Sequence, residues 1–454
     1  MGMIQELREL VKITNYYGRD PEFVLAGGGN TSFKEGGTLA VKASGKRMAD
    51  ITEEGFVRLS REKLAGIWQK SYVGNPDERD EQVVRDIMEA RLKGEELKRP
   101  SVETLLHELF GQPFVVHTHP SLVNGLTCAS SGAQAAEELL GDRAVWVPVT
   151  QPGYALAVST GAKMEEYRVK HGREPEVLLI QNHGLVVAGE SFEDIRKRTG
   201  SVIQSIRTRI KRTPELEPVA FDRERASLIC PALRMVLKGR GASSIVVFHT
   251  DAEIRRLVQS LEAFHPVSSA FTPDQIVYCG PSPLFIPYHR DLEEQYKALA
   301  RSVRDFEKRR SVAPRLVAVE KLGVFAWGLS KRDADTTLAV FRDAVKIAAY
   351  SETFGGPLFM PGQLFGFIES WEAERFRKKV ERGSGIQGRT REKIAVVTGG
   401  AQGFGLGLAE ALAEQGANVI LADINSELAG GEARRLSGRY GEGKVLPVGT
   451  DVRD

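Results

Sequence analysis

The chain has 454 residues, of which 42% are hydrophobic and 27% are charged, and its formal net charge is +2. This length is enough for two or three domains that each bury a core. A charge so close to neutral argues against a nucleic-acid or membrane-surface protein, because such proteins carry a larger basic excess. The sequence shows no signal peptide, membrane-spanning apolar run or Cys-x-x-Cys pair, so we expect a cytoplasmic protein.

The first predicted elements are a helix over residues 4–17, where apolar positions recur at helical spacing, and a short strand over residues 23–26. The strand leads into three glycines, and these are followed by Asn30 and Thr31. Glycine lets backbone N–H groups approach an anion closely, and amide and hydroxyl side chains add neutral donors. The stretch is therefore a candidate phosphate-binding turn.

A second turn, at residues 41–46, contains Ser44 and Gly45 and has the same chemistry. Each turn taken alone is also typical of an ordinary hairpin. Two such turns upstream of a strand that resembles a metal site favour the phosphate interpretation.

Residues 99–107 predict the start of a helix, with Pro100 and Ser101 as start signals and Glu103 near the positive end of the helix dipole. Taken alone, Glu103 is typical of an acid that stabilises a helix start. Beside a metal, the same carboxylate is a candidate base or reserve ligand.

The stretch at residues 114–120 reads as a buried strand, and it places His117 and His119 on one face because strand side chains alternate. A second apolar run, at residues 178–184, ends in His183 and a glycine. Three neutral imidazoles with an open fourth position are typical of a catalytic zinc site. The alternative is that His117 and His119 are ordinary strand histidines bonded to the backbone.

Three features together resemble the class II aldolase/adducin family over residues 20–210: Gly-Gly-Asn-Thr-Ser, Pro-Ser-x-Glu ahead of His-x-His, and Asn-His-Gly. The resemblance implies an α/β fold that begins with an α/β/α layered domain. It also implies zinc or another divalent metal on His117, His119 and His183, with Glu103 as catalytic base. The residues expected around a substrate phosphate are Asn30, Thr31, Ser44, Gly45 and Ser101.

The activity that the resemblance implies is aldol cleavage of a ketose 1-phosphate, such as rhamnulose 1-phosphate, to dihydroxyacetone phosphate and an aldehyde. The metal would stabilise the charge that develops as the carbon–carbon bond breaks. A homo-oligomer is expected, and a neighbouring subunit or a tyrosine commonly supplies the general acid; Tyr154 is a weak candidate. One departure concerns the substrate: sugar-phosphate aldolases of the family often carry two serines before the glutamate, and this chain has Ser101-Val102.

After the prolines at 214 and 218, helix and strand signals alternate, with strands predicted over residues 244–248, 275–279 and 315–319. This α/β region, including a predicted turn at residues 321–328, resembles the extension of long aldolases that are fused to a dehydrogenase. Its histidines lack metal-ligand spacing, so structural roles are expected for them.

Beyond a glycine-rich linker, a buried strand leads into Gly399, Gly403 and Gly405, a helix follows, and a second strand ends in Asp423. Strand, glycines, helix and an acid about twenty residues on form the dinucleotide fingerprint, and the acid favours NAD over NADP. The pattern resembles the short-chain dehydrogenase/reductase family. That resemblance implies a partial Rossmann domain, in which Asp451 and Val452 match the adenine-side motif.

The catalytic Tyr-x-x-x-Lys pair of that family normally lies well downstream of the third strand. Tyr440 and Lys444 have the spacing but precede that strand, so we interpret them as coincidence. We expect a truncated dehydrogenase module that offers half of an NAD site and has no activity by itself. The predicted division is residues 1–215 for the metal domain, 216–382 for the extension, 383–390 for the linker and 391–454 for the partial Rossmann domain.

Alternative functions stay open on sequence grounds. A sugar-phosphate 4-epimerase would use the same parts but yield a single epimeric sugar phosphate rather than two fragments. An NAD-dependent oxidoreductase with an accessory aldolase-like domain would be detected by hydride transfer. An adducin-like binding module has no need of a metal triad, and the retained histidines argue against it. The expected partner is a small sugar phosphate, with neither nucleic acid nor membrane.

Overall fold

The computed structural model describes residues 2–237, 245–371, 388–391 and 393–453. Within these residues the strands form a seven-stranded, a four-stranded and a three-stranded sheet, in that order along the chain. The fold is α/β, as predicted. Residues 383–387 of the predicted linker lie outside the described residues.

The first sheet is mostly antiparallel and has the order β3-β2-β1-β4-β7-β6-β5, in which the β5–β6 pair is parallel. Its strands are β1 (Asn30–Glu35), β2 (Thr38–Lys42), β3 (Phe56–Ser60), β4 (Phe114–Thr118), β5 (Val145–Val147), β6 (Val177–Ile180) and β7 (Gly184–Gly189). The helices of this region are α1 (Gly2–Gly18), α2 (Arg61–Ile67), α3 (Pro76–Glu89), α4 (Thr104–Glu108), α5 (Ser121–Thr127), α6 (Gly132–Leu140), α7 (Tyr154–His171) and α8 (Phe192–Arg207).

Helices cover both faces of this sheet, which makes an α/β/α sandwich. Val116 and Val187 pack with α1 and α8 on one face, whereas Val115 and Val186 pack with α4 and α7 on the other. This alternation follows from the strand period of two and fixes the register of the central strands. Strand β4, which carries the predicted metal ligand His117, lies in the middle of the sheet, between β1 and β7.

The predicted strand over residues 23–26 is wrong. The segment is a turn in which the Gly28 N–H donates to the carbonyl of Leu25 at 3.0 Å, and Ala26 has a φ of 51°. The short apolar run supplied the strand signal, but the turn geometry decided the conformation.

The second sheet has the order β8-β11-β10-β9. Its strands are β8 (Ile245–His249), β9 (Leu284–Ile286), β10 (Leu316–Val319) and β11 (Gly323–Gly328). The helices of this extension are α9 (Arg223–Leu237), α10 (Ala252–Leu257), α11 (Leu261–Phe264), α12 (Pro273–Cys279), α13 (Leu292–Arg310), α14 (Lys331–Ser351) and α15 (Phe365–Ser370).

Two predictions for the extension are wrong. Residues 275–279 belong to helix α12, where Pro273 occupies the first position and the Thr272 hydroxyl accepts the Gln275 N–H. Most of this run is buried, so its apolar pattern could not distinguish a strand from a short helix. Most of the predicted turn at 321–328 is strand β11, which follows a tight hairpin at Lys321.

The extension packs on the first sheet beside the β6–β7 turn. The Asn182 amide donates to the carbonyls of Phe271 and Leu358 at 3.0 and 2.8 Å. Helices α5 and α14 lie against each other at Gly125, where a Cβ would come within 2.3 Å of the Tyr350 side chain. The two sheets therefore share a tightly packed boundary next to the predicted metal site.

The third sheet is parallel, with the order β12-β13-β14, as the dinucleotide fingerprint predicted. Its elements are β12 (Ile394–Thr398), α16 (Gly403–Glu414), β13 (Asn418–Asp423), α17 (Ser426–Tyr440) and β14 (Val445–Gly449). Across the described part of the whole chain, no helix combines the length and apolar character that a bilayer crossing demands.

Candidate metal centre and dinucleotide turn

Three histidines reach one point from two places in the first sheet. His117 lies on β4, His119 follows it on the same side, and His183 lies in the turn between β6 and β7. That turn depends on Asn182, which has a φ of 55°, and on Gly184, where a Cβ would lie 2.5 Å from the Thr118 carbonyl oxygen. The local sequence therefore shapes the turn so that His183 approaches β4.

The three Nε2 atoms converge. His117 Nε2 lies 3.0 Å from His119 Nε2 and 3.2 Å from His183 Nε2. Tetrahedral zinc with bonds of about 2.0 to 2.1 Å holds two nitrogens about 3.3 Å apart. The three imidazole nitrogens thus fit a divalent metal. Among the residues that the structure describes, these histidines form a group whose possible ligand atoms all lie within 4.8 Å of one another.

The chemistry of the rings also suits a metal. Burial lowers the pKa of His117 to about 3, because a charged imidazole is poorly solvated there. The ring is therefore neutral at pH 7, which is the form that binds a metal. Its other nitrogen, Nδ1, bonds the Leu185 carbonyl at 3.0 Å, so Nε2 faces the centre.

Glu103 stands beside this centre, just before α4. Its Oε1 lies 3.2 Å from His183 Nε2 and 3.6 Å from His117 Nε2. Burial alone would raise the pKa of this carboxyl, but His117, His183 and the Asn30 amide together hold its pKa well below the usual value. Glu103 is therefore ionised and within reach of anything bound at the imidazoles.

A chain of hydrogen bonds fixes Glu103. The Asn30 amide donates to Glu103 Oε2 at 2.5 Å, and Asn30 Oδ1 in turn bonds His107 Nε2. His107 Nδ1 lies 2.8 Å from the Ser32 hydroxyl, and burial lowers the pKa of His107 to about 3. A neutral His107 that donates to Asn30 and accepts from Ser32 orients the Asn30 amide toward the carboxylate.

The dinucleotide turn of the third sheet forms a second site. Gly399 and Gly403 have φ values of 61° and 56°, and a Cβ on Gly405 would lie 2.0 Å from the Gly399 carbonyl oxygen. Asp423 accepts the Ala401 N–H at 3.0 Å, which ties the end of β13 to this turn. Backbone N–H groups of Asn425 and Ala401 lower the pKa of Asp423.

The third sheet also positions the two remaining residues of the predicted adenine side. Asp451 and Val452 follow β14; Asp451 pairs with Arg453 at 2.6 Å, and Val452 is exposed.

Two family models match the chain, one over each of the two regions described above. Residues 8–210 match the family model of the class II aldolase and adducin N-terminal domain, and residues 393–454 match that of the short chain dehydrogenases. The chain thus joins a region similar to the class II aldolase and adducin N-terminal domain to a region similar to the short chain dehydrogenases.

Individual proteins and solved structures are similar to all or part of the chain. Over 98% of its length the chain is 27% identical to an uncharacterized oxidoreductase, YuxG, of Bacillus subtilis, and it covers 68% of that protein. Over 14% of its length it is 39% identical to 2,5-dichloro-2,5-cyclohexadiene-1,4-diol dehydrogenase LinX of Sphingobium indicum, of which it spans 26%. Among solved structures, the N-terminal class II aldolase domain of a Thermoplasma acidophilum protein is 25% identical, with 45% of this chain and 92% of that chain covered and a TM-score of 0.38.

The pocket of the aldolase domain contains most, but not all, of the predicted phosphate residues. Asn30, Ser44, Gly45 and Ser101 line it. Thr31 is on the opposite side of β1, where its hydroxyl lies 2.6 Å from that of Thr14, so the structure does not bring this hydroxyl to the pocket. Strand alternation was the signal that could have separated Thr31 from its neighbour.

Several pocket residues were missed. Lys42 lines the pocket at the end of β2 and supplies a cation, while its Nζ donates to the Lys46 carbonyl at 2.8 Å. Asp274 and Trp371 reach the same pocket from the extension. No local motif marks these two, because they become neighbours of the histidines only through tertiary packing. Tyr154 begins α7 and lines a different cavity.

Proposed function

We propose that this protein is a zinc-dependent lyase that cleaves a ketose 1-phosphate, similar to rhamnulose 1-phosphate, to dihydroxyacetone phosphate and an aldehyde. The observation that carries the proposal is the convergence of three Nε2 atoms beside an ionised, buried carboxylate. A binding module has no use for such a set, whereas a metal-assisted retro-aldol reaction uses a Lewis acid and a base together.

The three histidines and Glu103 have different roles in the proposed reaction. Zinc on His117, His119 and His183 would supply the positive charge that stabilises the developing oxyanion. In the cleavage direction, the hydroxyl on the carbon that becomes the aldehyde loses its proton, and this proton passes through solvent to the ionised Glu103. The Glu103 carboxyl then delivers a proton to the carbon released when the bond breaks, so it ends the cycle as a carboxylate and the reaction is proton-neutral overall; the synthetic direction reverses these transfers.

The same pocket also contains groups that suit a phosphate. Lys42 provides positive charge, and the hydroxyls of Ser44 and Ser101 provide neutral donors. Binding energy from this remote group holds the sugar so that its reacting carbon faces Glu103. Trp371 and Pro152 also line the pocket and add apolar surface to it.

The test is metal analysis followed by a retro-aldol assay on the wild type and Glu103→Gln. We expect zinc in both proteins and a turnover that is about 10²- to 10⁴-fold lower in the variant, because the proton carrier is lost while the ligands stay. Equal turnover would remove Glu103 from its role. Release of a single epimeric sugar phosphate would instead identify an epimerase.

A second candidate function is NAD-dependent oxidation, which the short-chain dehydrogenase match and the oxidoreductase relative favour. We propose that the glycine turn and Asp423 bind NAD, with the carboxylate on the ribose hydroxyls. Fluorescence titration should give tighter binding of NADH than of NADPH, and Asp423→Ala should remove that preference. An aldehyde released by the aldolase domain is the substrate to test for hydride transfer in the presence of NAD. We also propose that the protein is cytoplasmic and forms a homo-oligomer, and that it binds neither nucleic acid nor membranes.

A further inference from the structure

We infer that Asp274, which the extension supplies from outside the family-matched residues 8–210, is a positioning residue for the metal ligand His119. The inference rests on the proposed metal centre and adds a part to it that lies some 155 residues further along the chain. It assigns the extension a direct role in the aldolase site.

The contact is short and sheltered. Asp274 Oδ2 lies 2.6 Å from His119 Nδ1, and the two side chains are 16% and 15% exposed. When Nδ1 carries the proton and donates it to the carboxylate, the lone pair of Nε2 is free to face the other two imidazoles. A carboxylate partner fixes the tautomer and the ring orientation, and it raises the basicity of the ligand nitrogen.

Helix α12 holds Asp274 in place. The Thr272 hydroxyl caps the helix start, and the Gln275 side chain accepts the Phe271 N–H at 2.6 Å. Near the far end of the helix, the Tyr278 hydroxyl accepts the Gly27 N–H at 3.2 Å. The helix is therefore tied to the same glycine turn that borders the pocket, and Asp274 has little freedom to leave His119.

Gly28 makes room for the pair. A Cβ at this position would lie 2.7 Å from Asp274 Oδ2 and 3.1 Å from His119 Nδ1. Gly28 is not among the residues with a positive φ, so the φ of an alanine here is not strained; the crowding comes from this pair and from the Leu25 carbonyl oxygen at 3.1 Å. The middle glycine of the turn thus serves the Asp274–His119 contact, whereas Gly27 and Gly29 line the pocket.

Asp251 offers a matched control within the extension. It starts helix α10, is 1% exposed, and its carboxylate lies 3.1 Å from His249 Nε2. It is thus a buried aspartate paired with a histidine, but it is not among the pocket residues. Replacing Asp251 therefore shows how the loss of a buried aspartate–histidine contact affects the fold when the pocket is not involved.

The experiment measures zinc affinity by competition with a chromogenic chelator for full-length wild type, Asp274→Asn and Asp251→Asn. We expect Asp274→Asn to bind zinc about 10- to 100-fold more weakly, and Asp251→Asn to match the wild type. Circular dichroism and thermal unfolding show that each variant is folded. If Asp274→Asn fails to fold, Gly28→Ala provides the measurement, since it displaces the pair without removing the carboxylate, and we expect about a 10-fold loss.

The outcomes separate the inference from the proposed function. Stoichiometric zinc on the wild type with unchanged affinity in Asp274→Asn and Gly28→Ala overturns the positioning role. A raised KM with unchanged zinc affinity also overturns it, because Asp274 would then contact substrate rather than act through His119. A wild type that binds no zinc overturns the proposed metal centre itself.

Discussion

At the scale of single residues, two neighbours on β1 show how strand geometry assigns roles. Asn30 bonds Glu103 and lines the pocket, whereas Thr31 faces Thr14 on the other side of the strand. Sequence reasoning placed both at the phosphate because both follow the glycines. The alternation of side chains separates them.

Substitutions at this pair should differ in kind. We expect Asn30→Ala to lower kcat/KM for aldol cleavage by about 10-fold or more, because Glu103 loses a charge-assisted hydrogen bond. We expect Thr31→Val to leave kcat/KM within about twofold and to lower the free energy of unfolding by about 1 kcal/mol, the cost of one hydrogen bond. Steady-state kinetics and urea unfolding measure the two. A Thr31→Val protein with a strongly raised KM would restore that hydroxyl to the phosphate site.

Asp343 on α14 gives a pH prediction. Burial raises its pKa from 3.8 to about 6; Ser121 and Lys346 oppose this rise, while the nearby charges of Glu22 and Asp274 add to it. Because the folded state holds this proton more tightly than the unfolded chain does, the contribution to stability is full below pH 3.8 and is lost as the pH rises through 6.

Replacing Asp343 should remove that dependence. We expect the difference in unfolding free energy between Asp343→Asn and wild type to shift in favour of the variant by about 2 to 3 kcal/mol from pH 4 to pH 7. Urea unfolding at several pH values measures the difference directly. A difference that is flat across this range would show that Asp343 titrates as an exposed aspartate does.

At the scale of elements, the glycine turn before α16 determines how closely strand and helix approach. A Cβ on Gly405 would lie 2.0 Å from a backbone oxygen, whereas nothing lies within 4 Å of a Cβ on Gly407 in the same helix. The clash involves backbone, which cannot move aside as a flexible side chain can.

The two glycines therefore form a matched pair. We expect Gly405→Ala to destabilise the third sheet by more than about 2 kcal/mol and to abolish NAD binding, as overpacking against backbone does. We expect Gly407→Ala to be neutral or to stabilise the helix by up to about 1 kcal/mol, because alanine is the better helix former. Thermal unfolding and NADH titration distinguish them. Equal behaviour of the two variants would contradict the close approach at Gly405.

The elements that the sequence could predict were those with a clear local period. The αβ alternation of the third sheet and the strand that carries His117 follow from apolar runs and glycine signals, and the structure forms them at those positions. Helix α12 could not be predicted, because its short apolar run is nearly all buried and fits either period. The contact between Asp274 and His119 could not be predicted either, because these residues become neighbours only when α12 packs beside the glycine turn.

At the scale of the whole molecule, Asn182 joins the aldolase domain to the extension. Its amide bridges two extension carbonyls, and its φ of 55° suits asparagine or glycine. The next residue is His183, so this boundary also sets the direction from which one of the three proposed metal ligands enters.

Asn182 is expected to affect stability and metal binding together. We expect Asn182→Ala to lower the free energy of unfolding by about 2 to 4 kcal/mol, because one buried and one partly buried carbonyl lose their donor and the backbone is strained. Asn182→Gly should recover the backbone part, about 1 kcal/mol, without the hydrogen bonds. Both variants should bind zinc more weakly. Guanidinium unfolding and chelator competition test this, and unaltered zinc binding in Asn182→Ala would separate the boundary from the metal centre.

Helix α12 has a consequence for engineering. A chimaera that transplants only residues 8–210 onto a foreign partner would leave behind the carboxylate that faces His119 and the phenol that anchors the glycine turn. A chimaera meant to keep the proposed metal site must therefore carry this short helix along, or supply a substitute acid at the same place. The family-matched segment ends before the last side chain that contacts the proposed site.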